Sequence, residues 1–247
     1  MGEKFFTVSF DDGTEQDVRL IELMEAYGIK GTFNLSSGIF GRKTYIRYDG
    51  SSGKTATAID PLHPELYVNH FILDKETALR VYSKPNVEVA SHGTHHLVQT
   101  ELTAQQAEEE ITRDFTELSK LFGYKIVGHA FPKGTYNSNV IEALRKNGAY
   151  YARKVSRGKP KDFSFDRSSL LLTPTCRHTD EFSDELLREF IETPAGSDDM
   201  VFVLWGHSYE LDYGTRLGCF EHLEGLFKAV SRANGIRFVT NRGLFER

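Results

Sequence analysis

Cysteine is scarce: the 247 residues hold only Cys176 and Cys219, too few for a disulfide framework at this length. A reduced, cytoplasmic protein fits that count best. Long apolar runs are missing as well, since none approaches the roughly 18 residues that a membrane span needs. The strand-like segment FFTVSF begins at residue 5, so no secretion signal is expected ahead of it. Charge of one sign is also lacking. A net charge of −5, without a Lys/Arg cluster beyond an ordinary solvated face, argues against nucleic acid as the main partner. No internal repeat or low-complexity tract appears. What remains is the composition of a soluble globular protein, 39% hydrophobic and 26% charged. The length suits one large domain over residues 1–247, and nothing in the pattern specifies an oligomeric state.

Short β-rich runs alternate with helical patterns along nearly the whole chain. Strands are expected at residues 5–10, 31–35, 87–90, 126–131, 149–155, 170–173, 201–205 and 236–240. Helices are expected at about 15–27, 74–82, 103–122, 137–147, 180–192 and 216–233. Thr103 with Gln106 reads as a helix start, and Gly123 as its stop. The run VFVLW at 201–205 is continuously apolar, as for a strand buried on both faces. Such βα alternation implies a parallel sheet, closed as a barrel or doubly wound, with chemistry at the C-terminal strand ends. One stretch, about 36–70, breaks the rhythm and carries Tyr45, Tyr48, Tyr67, His63 and His70 among Gly and Ser. A loop of that length reads as a substrate-shaping cap or a plain surface excursion.

The polar motifs fall just after predicted strands. SFDDG at 9–13 sets Asp11 beside Asp12. Asp-Asp-Gly alone is most often a turn, but adjacent residues at a strand end point in different directions, so the two carboxylates can have different jobs. SHGTHH at 91–96 puts His92 and His96 four apart, a spacing that suits two metal ligands on one face, with His95 competing. Taken alone, such a pair is more often an accident or a surface pair. Two imidazoles and one carboxylate would leave an open position on Zn²⁺, the mark of a catalytic rather than a structural site. His207, after the apolar strand, is either a strand-end residue satisfied by a carbonyl or a general acid.

These residues resemble the polysaccharide deacetylases of carbohydrate esterase family 4, the NodB-homology domain, whose motifs this chain follows in order over essentially its whole length. SFDDG is similar to the family's T-F-D-D-G, which implies Asp11 as catalytic base and Asp12 as metal ligand. EVASHGTHH is similar to its H-[ST]-x-x-H stretch, implying His92 and His96 as the other ligands, with Gly93 in the Ser/Thr place. HAFPKGTYN at 129–137 occupies the place of R-x-P-x-G: Pro132 and Gly134 match, but Ala130 stands where the base-orienting Arg belongs. Arg153 in YYARKVS is the candidate substitute. VLWGH resembles the closing L-x-x-H motif and implies His207 as the acid. The D-x-x-D-W motif is not reproduced by FDRSSLLLTPTCRHTD. Strings such as YAR, PTCRH and WGHSYE resemble a divergent branch of the superfamily and bring Arg153, His178 and Glu210 into consideration.

The resemblance implies an irregular (β/α) barrel of about seven βα units. It also implies one divalent metal, Zn first with Co or Ni as alternatives, and an N-acetylated carbohydrate as substrate. The expected reaction is hydrolysis of a sugar acetamide with release of acetate, and Lys133 would lend its backbone N–H to the oxyanion. Phe131 and Trp205 are candidates for stacking on a sugar ring, although core packing is the plainer role for Trp205. Tyr136 reads equally as a helix-start residue, and Cys176 as an inert buried thiol. Two alternatives stand beside the deacetylase: a C–N hydrolase on a small non-sugar amide, and a carbohydrate-binding protein that lost activity with the third-motif Arg.

Overall fold

The computed structural model describes residues 2–50, 53–156 and 158–246. In chain order its strands are β1 (Lys4–Asp11), β2 (Gly31–Leu35), β3 (Lys43–Tyr48), β4 (Gly53–Ala56), β5 (Tyr67–Phe71) and β6 (Val87–Ser91). There follow β7 (Gly128–Ala130), β8 (Tyr151–Arg153), β9 (Leu171–Leu172), β10 (Cys176–Arg177), β11 (Met200–His207) and β12 (Ile236–Phe238). The helices are α1 (Asp17–Ala26), α2 (Lys75–Tyr82), α3 (Ala104–Phe122), α4 (Ser138–Lys146), α5 (Ser183–Glu192), α6 (Phe220–Ser231) and α7 (Asn241–Phe245).

Nine strands make one curled parallel sheet in the order β10-β11-β1-β2-β6-β7-β8-β9, with β12 added to the lower half of β1. Apart from β12 the order is the chain order bent into a ring. The ring stays open between β9 and β10, two-residue strands with no ladder between them among the described residues. The result is an irregular α/β half-barrel, as expected. The helices begin where capping residues put them: Asp74 caps α2, Thr103 with Gln106 forms a capping box on α3, and Asn137 caps α4.

Strand periodicity divides the side chains between two faces. Phe6, Val8 and Phe10 of β1, with Phe202 and Leu204 of β11, join the helices in the main apolar core. Their neighbours Phe5, Val201 and Val203 fill the barrel interior with Tyr151, Leu172 and Leu244. The inward column of β1 therefore runs Phe5, Thr7, Ser9, Asp11, apolar at the base and charged at the top. That of β11 runs Val201, Val203, Trp205, His207, and the two columns stand in register, Asp11 opposite His207.

Residues 36–70 are not a structureless loop. They carry a three-stranded antiparallel sheet in the order β4-β3-β5, ending at Phe71. Apart from the buried Ile46, the β3 sequence KTYIRY is exposed or half-exposed, so it lacks the clean alternation that marks a strand in sequence.

Candidate metal centre and active site

Asp12, His92 and His96 each aim one ligand-type atom at a common point, all within 4.8 Å of one another. Asp12 Oδ1 is 3.8 Å from His92 Nε2 and 3.5 Å from His96 Nε2. The tautomer of His92 follows from its other nitrogen. Nδ1 lies 2.8 Å from the Ala130 carbonyl, which can only accept, so Nδ1 carries the proton and Nε2 presents its lone pair. Asp114 of α3 fixes the backbone behind His92, accepting from the His92 N–H at 3.1 Å and from Ser91 Oγ at 2.6 Å. The His pair is not helical; it sits in a loop after β6. Gly93 has φ +75°, and a Cβ there would stand 2.9 Å from Gln99 Nε2, which accounts for glycine where a Ser or Thr was expected. His95 turns away, its N–H and its ring both bound to the Glu110 carboxylate.

Asp11 lies beside this cluster, with Oδ2 4.0 Å from both His92 Nε2 and His207 Nε2. Arg153 Nη2 donates to both Asp11 oxygens at 2.5 Å, and Asn34 Nδ2 donates to Oδ1 at 2.8 Å. Ala130 and Arg153 are register partners on β7 and β8, so the guanidinium missing from position 130 reappears one strand over at the same height. Burial alone would raise the Asp11 pKa, but Arg153, helped by His92 and His207, outweighs it and holds the carboxyl below its usual range. Asp12 is likewise buried, yet is pulled well below that range by the hydrogen bond from His70 and the nearby His96 and His207.

His207 is fixed through Nδ1, 2.9 Å from Glu210 Oε1, which leaves Nε2 facing Asp11. Burial pushes its pKa down to about 4, against the pull of Asp12 and Asp11. Glu210 is fully buried and also receives His178 Nε2 at 3.0 Å and Arg177 Nε at 3.1 Å. His178 is thus enclosed behind Glu210 and does not line the cavity. Trp205 is 7% exposed, with the guanidinium carbons of Arg153 and Arg177 at 4.9 and 5.4 Å from its ring centroid and its Nε1 donating to Ser156 Oγ. It packs inside the wall more than it offers a free stacking face. Phe131 lines the cavity and stacks on Tyr136 at 4.6 Å; Pro132 is buried beside it, and Lys133 and Val155 reach the cavity. Cys176 is buried with its thiol pKa pushed up, as for an inert thiol.

The cavity over these groups has a volume of about 260 Å³. Arg42, Ile46, Thr55 and His70 of the 36–70 segment form one of its walls. A separate depression of about 430 Å³, lined by Tyr48, Tyr213 and Arg216, lies beyond Arg177 and holds none of the clustered carboxylates and imidazoles. Sequence reasoning passed over Asn34, Asp114 and the place of His70. A signal existed for Asn34, since Thr32 and Asn34 are polar residues on alternate positions of a fully buried strand. Among the described residues, three non-glycines have positive φ: Asp12 (77°), His96 (57°) and Lys133 (56°), all lining this cavity. Left-handed backbone at such residues is disfavoured by about 1–3 kcal/mol each and gathers at functional sites.

A curled parallel α/β half-barrel carrying a carboxylate and two imidazoles at its strand ends defines the class. The family model described as polysaccharide deacetylase matches residues 1–152, more than half of the chain, and the protein belongs to that family. The match stops one residue short of Arg153. No curated protein matches the chain. Among solved structures, the chain is similar to the Xyl-CE4 domain of a multidomain xylanase from the hindgut metagenome of Trinervitermes trinervoides. Identity there is 15% and the TM-score 0.53, over 99% of this chain and 90% of that one. The peptidoglycan deacetylase PdaC from Bacillus subtilis gives 13% and 0.52 over 98% and 90%. A CE4 family pseudoenzyme from Bacillus anthracis gives 12% and 0.56 over 99% and 66%. At these identities the likeness concerns the fold.

Proposed function

We propose that the protein is a metal-dependent N-deacetylase that hydrolyses the acetamide of an N-acetylated amino sugar in the cytoplasm and releases acetate. The observation that carries this reading is the convergence of Asp12, His92 and His96 beside an ionised Asp11 that Arg153 grips at both oxygens. Two imidazole nitrogens and one carboxylate oxygen suit Zn²⁺ with a position left open, and Co²⁺ or Ni²⁺ as alternatives. The free Nε2 of His92, fixed by its partner at Nδ1, fits such an ion. The ion, when bound, supplies Lewis-acid activation of the water and of the acetyl carbonyl.

The chain's own groups do the rest. Asp11 takes the proton of the attacking water, and its lowered pKa keeps it ionised for that task. The backbone N–H of Lys133 is the oxyanion donor, a role typically worth about 3–4 kcal/mol of barrier. His207, whose Nδ1–H is held by Glu210, takes up at Nε2 the proton that Asp11 drew from the water and passes it to the departing amine. Arg42 and Lys133 line the cavity without an acidic partner among the described residues. This favours N-acetyl sugars that carry a phosphate, as nucleotide-linked or carrier-linked precursors do. A second reading, hydrolysis of a small non-sugar amide, draws on the modest cavity and on the enclosed ring of Trp205.

Acetate release measured over free, phosphorylated and nucleotide-linked N-acetyl sugars and small N-acyl amides, with Zn²⁺, Co²⁺ or Ni²⁺ added, tests the proposal. Turnover on a sugar supports it, and turnover on amides alone moves the assignment to the second reading. Metal-loaded protein that binds sugar and never releases acetate points to a binding protein.

A further inference from the structure

We infer that His70 is a positioning residue of the metal centre: it holds the outer oxygen of Asp12 so that the inner one faces His92 and His96. The inference rests on the proposed ligand role of Asp12. The two oxygens of that carboxylate have separate surroundings. Oδ1 faces His92 Nε2 and His96 Nε2 at 3.8 and 3.5 Å, whereas Oδ2 lies 3.0 Å from His70 Nε2. An ionised carboxylate only accepts, so His70 donates from Nε2. Its Nδ1 lies 2.9 Å from Thr44 Oγ1, a hydroxyl able to donate in return. Both ring nitrogens are thereby used within the protein, which makes His70 a holder of a ligand and not a fourth ligand.

The backbone delivers this contact. Residues 69–73 run antiparallel along the turn that follows Asp12: Thr14 bridges Ile72, Glu15 N–H donates to the Phe71 carbonyl at 2.9 Å, and Leu73 N–H donates to that of Gly13 at 3.0 Å. Gln16 Nε2 adds a bond to the Asn69 carbonyl. His70 is 5% exposed, and its ring meets that of Tyr209 edge-on at 5.0 Å. Asp12 follows β1 with a left-handed backbone, φ 77°, a conformation that persists where the surroundings hold it. The antiparallel insert provides that hold. It is part of the centre as well as a wall of the cavity.

Two variants separate the roles of the ring. His70→Leu removes both nitrogens at similar bulk, and His70→Gln returns one N–H to Asp12. Zn²⁺ titration calorimetry and the visible absorption of the Co²⁺-loaded protein read the centre without reference to turnover. His70→Leu is expected to weaken Zn²⁺ binding about 10- to 100-fold, the usual scale for loss of a partner that orients a ligand, and to change the Co²⁺ spectrum. His70→Gln should recover most of both. A folded His70→Leu protein with unchanged affinity and spectrum would overturn the inference, as would a His70→Gln protein no better than His70→Leu. If His70→Leu does not fold, Thr44→Val serves: it strips the partner of Nδ1 and should weaken binding several-fold, and no change overturns the claim. Wild-type protein that binds neither ion refutes the metal centre itself, a separate outcome from these.

Discussion

Removal of the Arg153 side chain is the sharpest perturbation of the proposed base. Arg153 is 1% exposed, bonds both oxygens of Asp11 through Nη2, anchors Nη1 on the Lys154 carbonyl at 2.9 Å and lies over the Trp205 ring. Breaking a buried ion pair from one side costs roughly 3–5 kcal/mol, because the remaining charge has no partner. At about 2–4 °C per kcal/mol for a chain of this size, Arg153→Met should lower Tm by roughly 6–20 °C. Catalysis should suffer separately. A misplaced base forfeits about 10²–10⁴ in kcat/KM, roughly 3–5 kcal/mol of barrier. The pH profile gives the sign: without Arg153 burial acts on Asp11 with less opposition, its pKa rises, and since the base works ionised, the acidic limb of kcat/KM moves to higher pH. Arg153→Lys keeps the charge but loses the Nη1 anchor and should fall between. The double variant Asp11→Asn/Arg153→Met discards both charges and should regain stability without regaining activity. Arg153→Met protein that loses the predicted stability yet keeps wild-type kcat/KM and an unmoved acidic limb would falsify the orienting role and leave Arg153 as a fold-stabilising partner.

Metal and base separate by substitution: Asp12→Asn and His92→Ala should abolish Zn²⁺ loading in elemental analysis. Asp11→Asn should keep the ion and lose about 10²–10⁴ in turnover. Glu210→Gln leaves a neutral amide beside His207 Nδ1, and kcat should drop roughly 10²-fold or more with KM little changed; equal effects on both would point to a folding role. Asp17, fully buried under the Tyr82 hydroxyl, has its pKa raised by burial to about 7. Its raised folded value means a contribution present in full below about pH 4 and lost progressively as pH rises to 7. Chemical denaturation of Asp17→Asn across that window should show a flatter slope of stability against pH than wild type.

Much of the frame was legible because it depends on local signals. Strand β2 spans the residues expected of it, and α3 starts at its capping box and stops at Gly123 in a left-handed C-cap. Asp11, Asp12, His92, His96 and His207 are brought together as their motifs implied, because each ends or follows an inward-facing strand. What escaped depends on register and on distant pairing. Arg153 could be suspected from the sequence, but only the pairing of β7 with β8 sets it level with Ala130. His70 stands 58 residues from Asp12 and reaches it through an antiparallel sheet whose strands are too exposed and short to announce themselves. His178 lies away from the cavity for a related reason. Its string sits at a strand end, but Gly206 brings the ring inward against the neighbouring strand, where a Cβ would stand 2.2 Å from His178 Cδ2.

The backbone at the site bears on whether this barrel still works as an enzyme. Left-handed backbone gathers at active sites and ligand clamps, so its occurrence at Asp12 and His96, two of the three proposed metal ligands, marks a site held under strain. Substitution toward relaxed conformations would stabilise it at each position. Here Asp12, His96 and Lys133 all keep positive φ. Their neighbours are arranged to hold them: Asp12 N–H donates to the Asn34 carbonyl, and Lys133 sits between Pro132 and Gly134. Position 130 holds alanine, and the arginine at its register partner grips the Asp11 carboxylate. Strain at these three cavity-lining positions, together with a guanidinium held on Asp11, fits the proposed hydrolase better than a surface with no chemistry to position.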